Sequence, residues 1–169
     1  PNTIDAGDDQ TICEGESATL IAENSFTNYN WVSLPDGATF AGQTIIVNPT
    51  ITSQFALTAN DDNGCIVRDT LEVIVNPNPI ASFTVMGSCG LNPINFTSTS
   101  TGGNTYSWGF GDGSGTSIIE NPSYTYANIG TFDVKLVVTS ADNCQDSITQ
   151  QITVGNLPIT VSPNQSICP

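Results

Sequence analysis

Thr131-Phe132-Asp133-Val134-Lys135-Leu136-Val137-Val138 carries a large apolar side chain at every second position: Phe132, Val134, Leu136 and Val138. Successive side chains of a strand point to opposite faces, so the octet reads as a β-strand with one buried face. A hairpin through Ala141-Asp142-Asn143 leads into a second alternating run, Ser147 to Val154. Upstream, Ala81 to Met86, Ile94 to Ser98, Thr105 to Phe110 and the short Ser117-Ile118-Ile119 are further strand candidates. The same scheme fills the first part of the chain. Ser17 to Ala22, Asn28 to Ser33 and Gln54 to Ala59 alternate, and Cys65 to Val75 places Leu71, Val73 and Val75 in period two. Asp61-Asp62-Asn63-Gly64 between the last two runs is a hairpin signal.

Composition agrees with an all-β class. Thr (22), Ser (16) and Asn (17) are abundant among 169 residues, and Ile (17) and Val (11) outnumber Leu (7). β-branched side chains lose rotamer freedom in helices and suit pleated surfaces. Many short strands separated by Gly, Pro, Asn and Asp point to β-sandwiches. At 38% apolar residues, the chain has enough hydrophobic material for a core.

Charge removes several functions. Sixteen acidic residues face only Arg68 and Lys135, and there is no His. Two cations cannot neutralise a phosphate backbone, so nucleic-acid binding is excluded. Catalysis that needs His is excluded with it. No apolar run approaches the roughly 20 residues of a membrane helix, so no membrane insertion is expected. The chain runs from Pro1 to Cys168-Pro169 and reads as a segment of something longer.

Asn76-Pro77-Asn78-Pro79 interrupts the strands, and neither proline suits a central strand. A boundary there gives a first β-sandwich domain over 1–77 and a second over 78–155. Sliding the chain by 155 residues superposes Ile4 on Ile159, Gln10 on Gln165, Ile12 on Ile167 and Cys13 on Cys168. Residues 156–169 therefore read as the start of a third domain resembling the first. A weaker shift of 79 places Cys65 on Cys144 and Val75 on Val154. The expected architecture is an extended tandem array.

The five cysteines fit this repeat. Cys13 and Cys89 precede the second strand of their domains, and Cys65 and Cys144 open the last. The expected disulfides are Cys13–Cys65 and Cys89–Cys144, with Cys168 waiting for a partner in the next segment. Small domains often need such staples, and disulfides imply an oxidising compartment. Zinc is not expected, because no C-x-x-C spacing occurs.

Tyr106-Ser107-Trp108-Gly109-Phe110-Gly111-Asp112-Gly113, then Asn121-Pro122-Ser123-Tyr124-Thr125-Tyr126, then Gly130-Thr131-Phe132-Asp133-Val134 resembles the PKD (polycystic kidney disease) domain, an immunoglobulin-like β-sandwich. The family pattern is W-D-F-G-D-G, N-P-x-H-x-Y and G-x-Y-x-V. Trp108, Phe110, Gly111, Asp112, Gly113, Asn121, Pro122, Tyr126, Gly130 and Val134 match it, across roughly residues 80–154. Gly109 replaces the first Asp, Tyr124 the usual His and Phe132 the usual Tyr. The first domain resembles the immunoglobulin-like companion found beside PKD domains in bacterial surface proteins. Its carriers are Gly7 to Cys13, Tyr29-Asn30-Trp31, Val47-Asn48-Pro49-Thr50 and Asn63-Gly64-Cys65.

The resemblance implies an adhesive or structural repeat of a large extracellular bacterial surface protein, like the gliding-type adhesins, and no enzyme. Its partners would be neighbouring repeats and a polysaccharide or protein ligand. The alternative is a spacer or carbohydrate-binding accessory module of a secreted hydrolase. Some PKD domains bind calcium, and Asp8-Asp9 and Asp61-Asp62 are the richest acidic pairs here. No calcium loop of EF-hand spacing exists, and hairpin chemistry accounts for the second pair, so no cofactor is expected. Thr70 and Ser147 follow Asp in the pattern of bacterial O-glycosylation, and Asn95 and Asn164 open N-linked sequons, so all four are candidate glycosylation sites. Tyr29 and Tyr124 would suit stacking on a sugar, or packing at a corner.

Overall fold

The computed structural model describes residues 3–87 and 92–155, and every element among them is a strand. The chain divides into two units, Pro1–Pro77 and Asn78–Pro169.

The first unit contains β1 (Gln10–Cys13), β2 (Ala18–Ile21), β3 (Thr27–Leu34), β4 (Thr39–Ala41), β5 (Thr44–Val47), β6 (Ser53–Asn60) and β7 (Ile66–Asn76). One sheet runs β1-β7-β6-β3-β4, and β2 pairs with β5 in the other. β1 is parallel to β7, whereas the β6–β7 hairpin is antiparallel over its whole length. Inward residues of both sheets share one core: Leu20, Ile45 and Val47 from the small sheet meet Trp31, Phe55, Leu57, Leu71 and Val73 from the large one.

The second unit contains β8 (Phe83–Gly87), β9 (Ile94–Ser98), β10 (Thr105–Gly109), β11 (Thr116–Ser117), β12 (Ser123–Tyr124), β13 (Gly130–Thr139) and β14 (Gln145–Val154). Its sheets run β11-β10-β13-β14 and β12-β9-β8. Phe83, Ile94 and Phe96 of the second sheet pack with Trp108, Val134, Leu136, Val138 and Ile152 of the first. The octet that reads as a strand forms the centre of β13, with Val134, Leu136 and Val138 buried. Phe132 departs from that face-wide burial. It is only partly buried, because its ring covers Tyr126 at the edge of the core.

The units share a plan. Trp31 on β3 lies opposite Leu57 of β6, and Trp108 on β10 lies opposite Leu136 of β13. Each indole N–H donates to a carbonyl eleven residues on, Gly42 O at 3.0 Å and Ile119 O at 2.9 Å. A buried ring that needs a polar partner is thus satisfied the same way twice. They differ in the leading strand: β1 adds in parallel to the last strand of its unit, while β8 pairs antiparallel with β9.

Two expectations are corrected. Ser117-Ile118-Ile119 is a strand only at Thr116–Ser117. Beyond Ser117 the backbone turns so that the Ile119 carbonyl meets the Trp108 indole, which leaves Ile118 and Ile119 exposed. The Cys13–Cys65 disulfide does not form. Cys13 is disulfide-bonded, but Cys65 is an exposed free thiol. The strand register gives the reason. Cys13 lies opposite Asn76 at the end of β7, and Cys65 directly precedes its first residue, Ile66. The eleven residues of β7 hold the two cysteines roughly 35 Å apart at about 3.3 Å per residue, far beyond the ~7 Å Cα limit of a disulfide. Cys144 is buried and disulfide-bonded. Cys89, Cys168 and Asn164 lie outside the described residues, as does the expected third domain at 156–169.

Candidate functional site

The motif residues converge on one corner of the second unit. β10 ends at Gly109, and Phe110 turns the chain with its N–H donating to Gly115 O at 3.0 Å. Gly111 has φ +79°, and a Cβ there would stand 2.6 Å from Asp133 O and 2.8 Å from Asp133 N. Only glycine meets both demands. Asp112 closes the turn: its Oδ1 accepts the N–H of Ser114 (3.1 Å) and of Gly115 (2.8 Å), and its Oδ2 accepts the Tyr124 hydroxyl. Gly113, also at positive φ, completes the bend.

Aromatic rings brace the turn from below. Tyr124 stacks on Phe110 with centroids 4.1 Å apart, and Tyr126 stacks on Phe132 at 4.2 Å. The buried Tyr126 hydroxyl donates to Phe110 O at 2.8 Å. Trp108 contacts Phe83 edge-on at 5.0 Å, in the preferred geometry for such pairs. Asn121 and Pro122 hold the following segment on β9: Asn121 Oδ1 accepts Ser98 N–H and Pro122 O accepts Phe96 N–H, each at 2.9 Å. Gly130 begins β13, and Val134 is fully buried.

The electrostatics follow from these bonds. The Tyr124 hydroxyl, then the Gly115 and Ser114 N–H groups, hold the Asp112 carboxyl below its ordinary pKa. The same bond to Asp112 pushes the Tyr124 phenol up. Burial raises Tyr126, with the Asp112 charge adding to it. Tyr124 thus stands where the family's usual His would, with its hydroxyl bonded to the turn carboxylate.

Several contributors were not legible. Gly115 is one, since a Cβ there would run into the Tyr124 ring; its spacing three residues after Asp112 is the signal available. Asp69 and Asp146 are others. Asp69 Oδ2 accepts Ala6 N–H and Asp146 Oδ2 accepts Ala81 N–H, both at 2.8 Å, pinning the segment that leads into the first strand of each unit. No local pattern marks a partner more than 60 residues away.

The remaining candidates are dispersed. Thr70, Ser147 and Asn95 are exposed on strands β7, β14 and β9. Tyr29 is a corner residue: its hydroxyl donates to Glu23 O at 2.8 Å and accepts Phe26 N–H at 3.1 Å. Asp9 Oδ1 accepts Glu72 N–H, and Asp61 Oδ1 accepts the N–H groups of Asn63 and Cys65. Among the described residues no group of three or more His, Cys, Asp or Glu is placed to hold a metal ion. Nor does any buried side-chain nitrogen or oxygen among them lack a hydrogen-bond partner.

Two sheets closed over a tryptophan, with a glycine-aspartate turn braced by tyrosines, define an immunoglobulin-like β-sandwich module. The sequence profile of the PKD domain matches residues 76–154. The PKD1 domain of the Vibrio cholerae metalloprotease PrtV is 32% identical; the match covers 47% of this chain and 99% of that domain, with a TM-score of 0.42. The PKD1 domain of Vibrio anguillarum Epp is 28% identical over 47% of this chain and 96% of that one, with a TM-score of 0.43. Fibronectin(III)-like modules of Clostridium thermocellum CbhA are 12% identical over 90% and 93%, with a TM-score of 0.42. No curated protein matches the chain. Through its second unit, the chain belongs to the PKD domain family.

Proposed function

We propose that the chain is a structural and adhesive repeat segment of a large extracellular bacterial surface protein or fibre. The observation that carries this reading is the use made of the motif. The named polar groups of the Asp112 turn serve the turn itself: both carboxylate oxygens, the Phe110 carbonyl and the two tyrosine hydroxyls are occupied by neighbours within the fold. The arrangement stabilises a shape. In the array, sandwich domains at 1–77 and 78–155 alternate, and a third begins at 156–169. The acidic, nearly cation-free exterior keeps neighbouring copies from collapsing onto each other. Thr70 and Ser147, exposed on strands, are the favoured positions for attached sugar. The partners are neighbouring repeats and a polysaccharide or protein at the surface contacted.

A second reading has a specific observation in its favour. The Vibrio cholerae relative at 32% identity is a domain of a metalloprotease. On that reading the chain is an accessory module of a secreted hydrolase. Immunolabelling of intact cells, together with surface attachment of a strain lacking the protein, separates the two. Surface label and lost attachment support the adhesive repeat. Label confined to the medium, with attachment intact, refutes it.

A further inference from the structure

The β6–β7 and β13–β14 hairpins close with the same five-residue turn. In the first, Asp61 N–H donates to Cys65 O at 3.0 Å and Gly64 N–H to Asp61 O at 2.9 Å. In the second, Ser140 N–H donates to Cys144 O at 2.8 Å and Asn143 N–H to Ser140 O at 3.2 Å. The fourth residue is left-handed in both, Gly64 at φ 78° and Asn143 at φ 65°. The first side chain caps the cysteine in both: Asp61 Oδ1 accepts Cys65 N–H, and Ser140 Oγ accepts Cys144 N–H. Cys65 and Cys144 therefore hold one position in one turn, repeated in two units.

Their states differ. Cys144 is disulfide-bonded and buried, whereas Cys65 is a free thiol open to solvent. Cys65 has no partner available in residues 1–77. The other cysteine there, Cys13, is at the far end of β7 and already bonded. An exposed hairpin-tip thiol in an oxidising compartment is open to disulfide exchange, and the matching turn shows a cysteine in this place engaged in that chemistry.

We propose that Cys65 is a cross-linking site, forming a disulfide with a cysteine of another repeat of this type, in the same chain or an adjacent one. The inference rests on the repeat reading above. In the bond-forming sequence, the Cys65 thiolate attacks a small-molecule or protein disulfide, forming a mixed disulfide and expelling one thiolate. The partner cysteine's thiolate then attacks the Cys65 sulfur and expels the second. Two protein thiols become one disulfide, and the oxidant is reduced to two thiols as its expelled thiolates take up the two protons the protein thiols lose.

The test uses the native protein, with free thiols blocked by iodoacetamide before extraction and peptides mapped without reduction. The expected result is a Cys65 peptide joined to a second protein cysteine, with alkylation at Cys65 lost before reduction and restored after it. Non-reducing electrophoresis separates the two sources: a same-chain bond leaves the monomer mass, and an adjacent-chain bond gives a multimer that reduction dissolves. Cys65→Ser, an exposed position, abolishes the cross-link and leaves the unit folded. Cys65 alkylated without reduction, or joined only to a small thiol, or joined to Cys13, overturns the inference. The same map counts repeats, so the two readings fail separately. Free Cys65 in a many-copy protein sinks this proposal alone. A single copy beside a catalytic domain sinks the repeat reading, whatever the state of Cys65.

Discussion

Truncating Trp108 to Ala should unfold the second unit and leave the first intact. The indole is 1% exposed and touches Phe83, Phe96 and Phe110. Removing a buried aromatic costs about 3–5 kcal/mol. The Ile119 carbonyl also loses its 2.9 Å donor, adding about 1 kcal/mol. A domain of roughly 80 residues has only about 4–12 kcal/mol to lose, at the usual stability per residue. Each kcal/mol moves the midpoint by about 4–8 °C in a domain this small, so the second-unit transition should fall by at least about 15 °C or vanish. Differential scanning calorimetry of wild type and variant resolves this, with Trp31→Ala as the reciprocal probe of the first unit. Trp108→Phe separates the terms, since it keeps most of the ring packing and drops the N–H. A shift under about 5 °C for Trp108→Ala would refute the packing argument. Simultaneous loss of both units in one cooperative step would refute the boundary at residues 76–79.

Gly111→Ala combines a left-handed backbone with a clash against Asp133 and should cost roughly 1–3 kcal/mol from conformation alone; thermal melts of the second unit measure it, while Gly113→Ala, whose Cβ meets nothing within 4 Å, should cost less. Tyr124→Phe removes the main cause of the low Asp112 pKa, so the Asp112 midpoint followed by NMR should rise toward the ordinary carboxylate value. The sign in wild type follows: a depressed carboxylate stabilises above its unfolded pKa, near 4, and that stability fades as pH falls through the folded value. The raised Tyr124 phenol stabilises below its unfolded pKa, near 10, and loses that as pH climbs through the folded value. Tyr124→Phe should therefore flatten both limbs of the melting temperature against pH. Asp146→Ala frees the Ala81 N–H and should show as faster hydrogen exchange at Ala81, with a stability loss on the order of 1 kcal/mol.

Much of the fold was legible because strand burial is a local property. Val134, Leu136 and Val138 alternate along the chain, and a half-buried strand requires that alternation wherever it lies. Asn-Gly at 63–64 and Asn143 sit where the two hairpins need a left-handed residue, so the turns could be placed to within a residue or two. The short strands β1, β4, β5 and β12 escaped notice. At two to four residues each, they carry too little alternation to stand out, and their existence depends on the partners they meet.

The sequence alone determined that this chain is all-β and acidic, with a PKD motif in its second part; these rest on composition and on side-chain order within single segments. Tertiary structure decided which distant groups meet. Matching positions in the chain suggested that Cys13 could reach Cys65, but the parallel register of β1 on β7 places Cys13 at Asn76, a full strand length away. Likewise Asp112 reads as a turn former by itself, and only the approach of β12 brings the Tyr124 hydroxyl onto its second oxygen. Pairing across space depends on strand direction and register, which many weak contacts across the whole sheet set together, and no single segment encodes it.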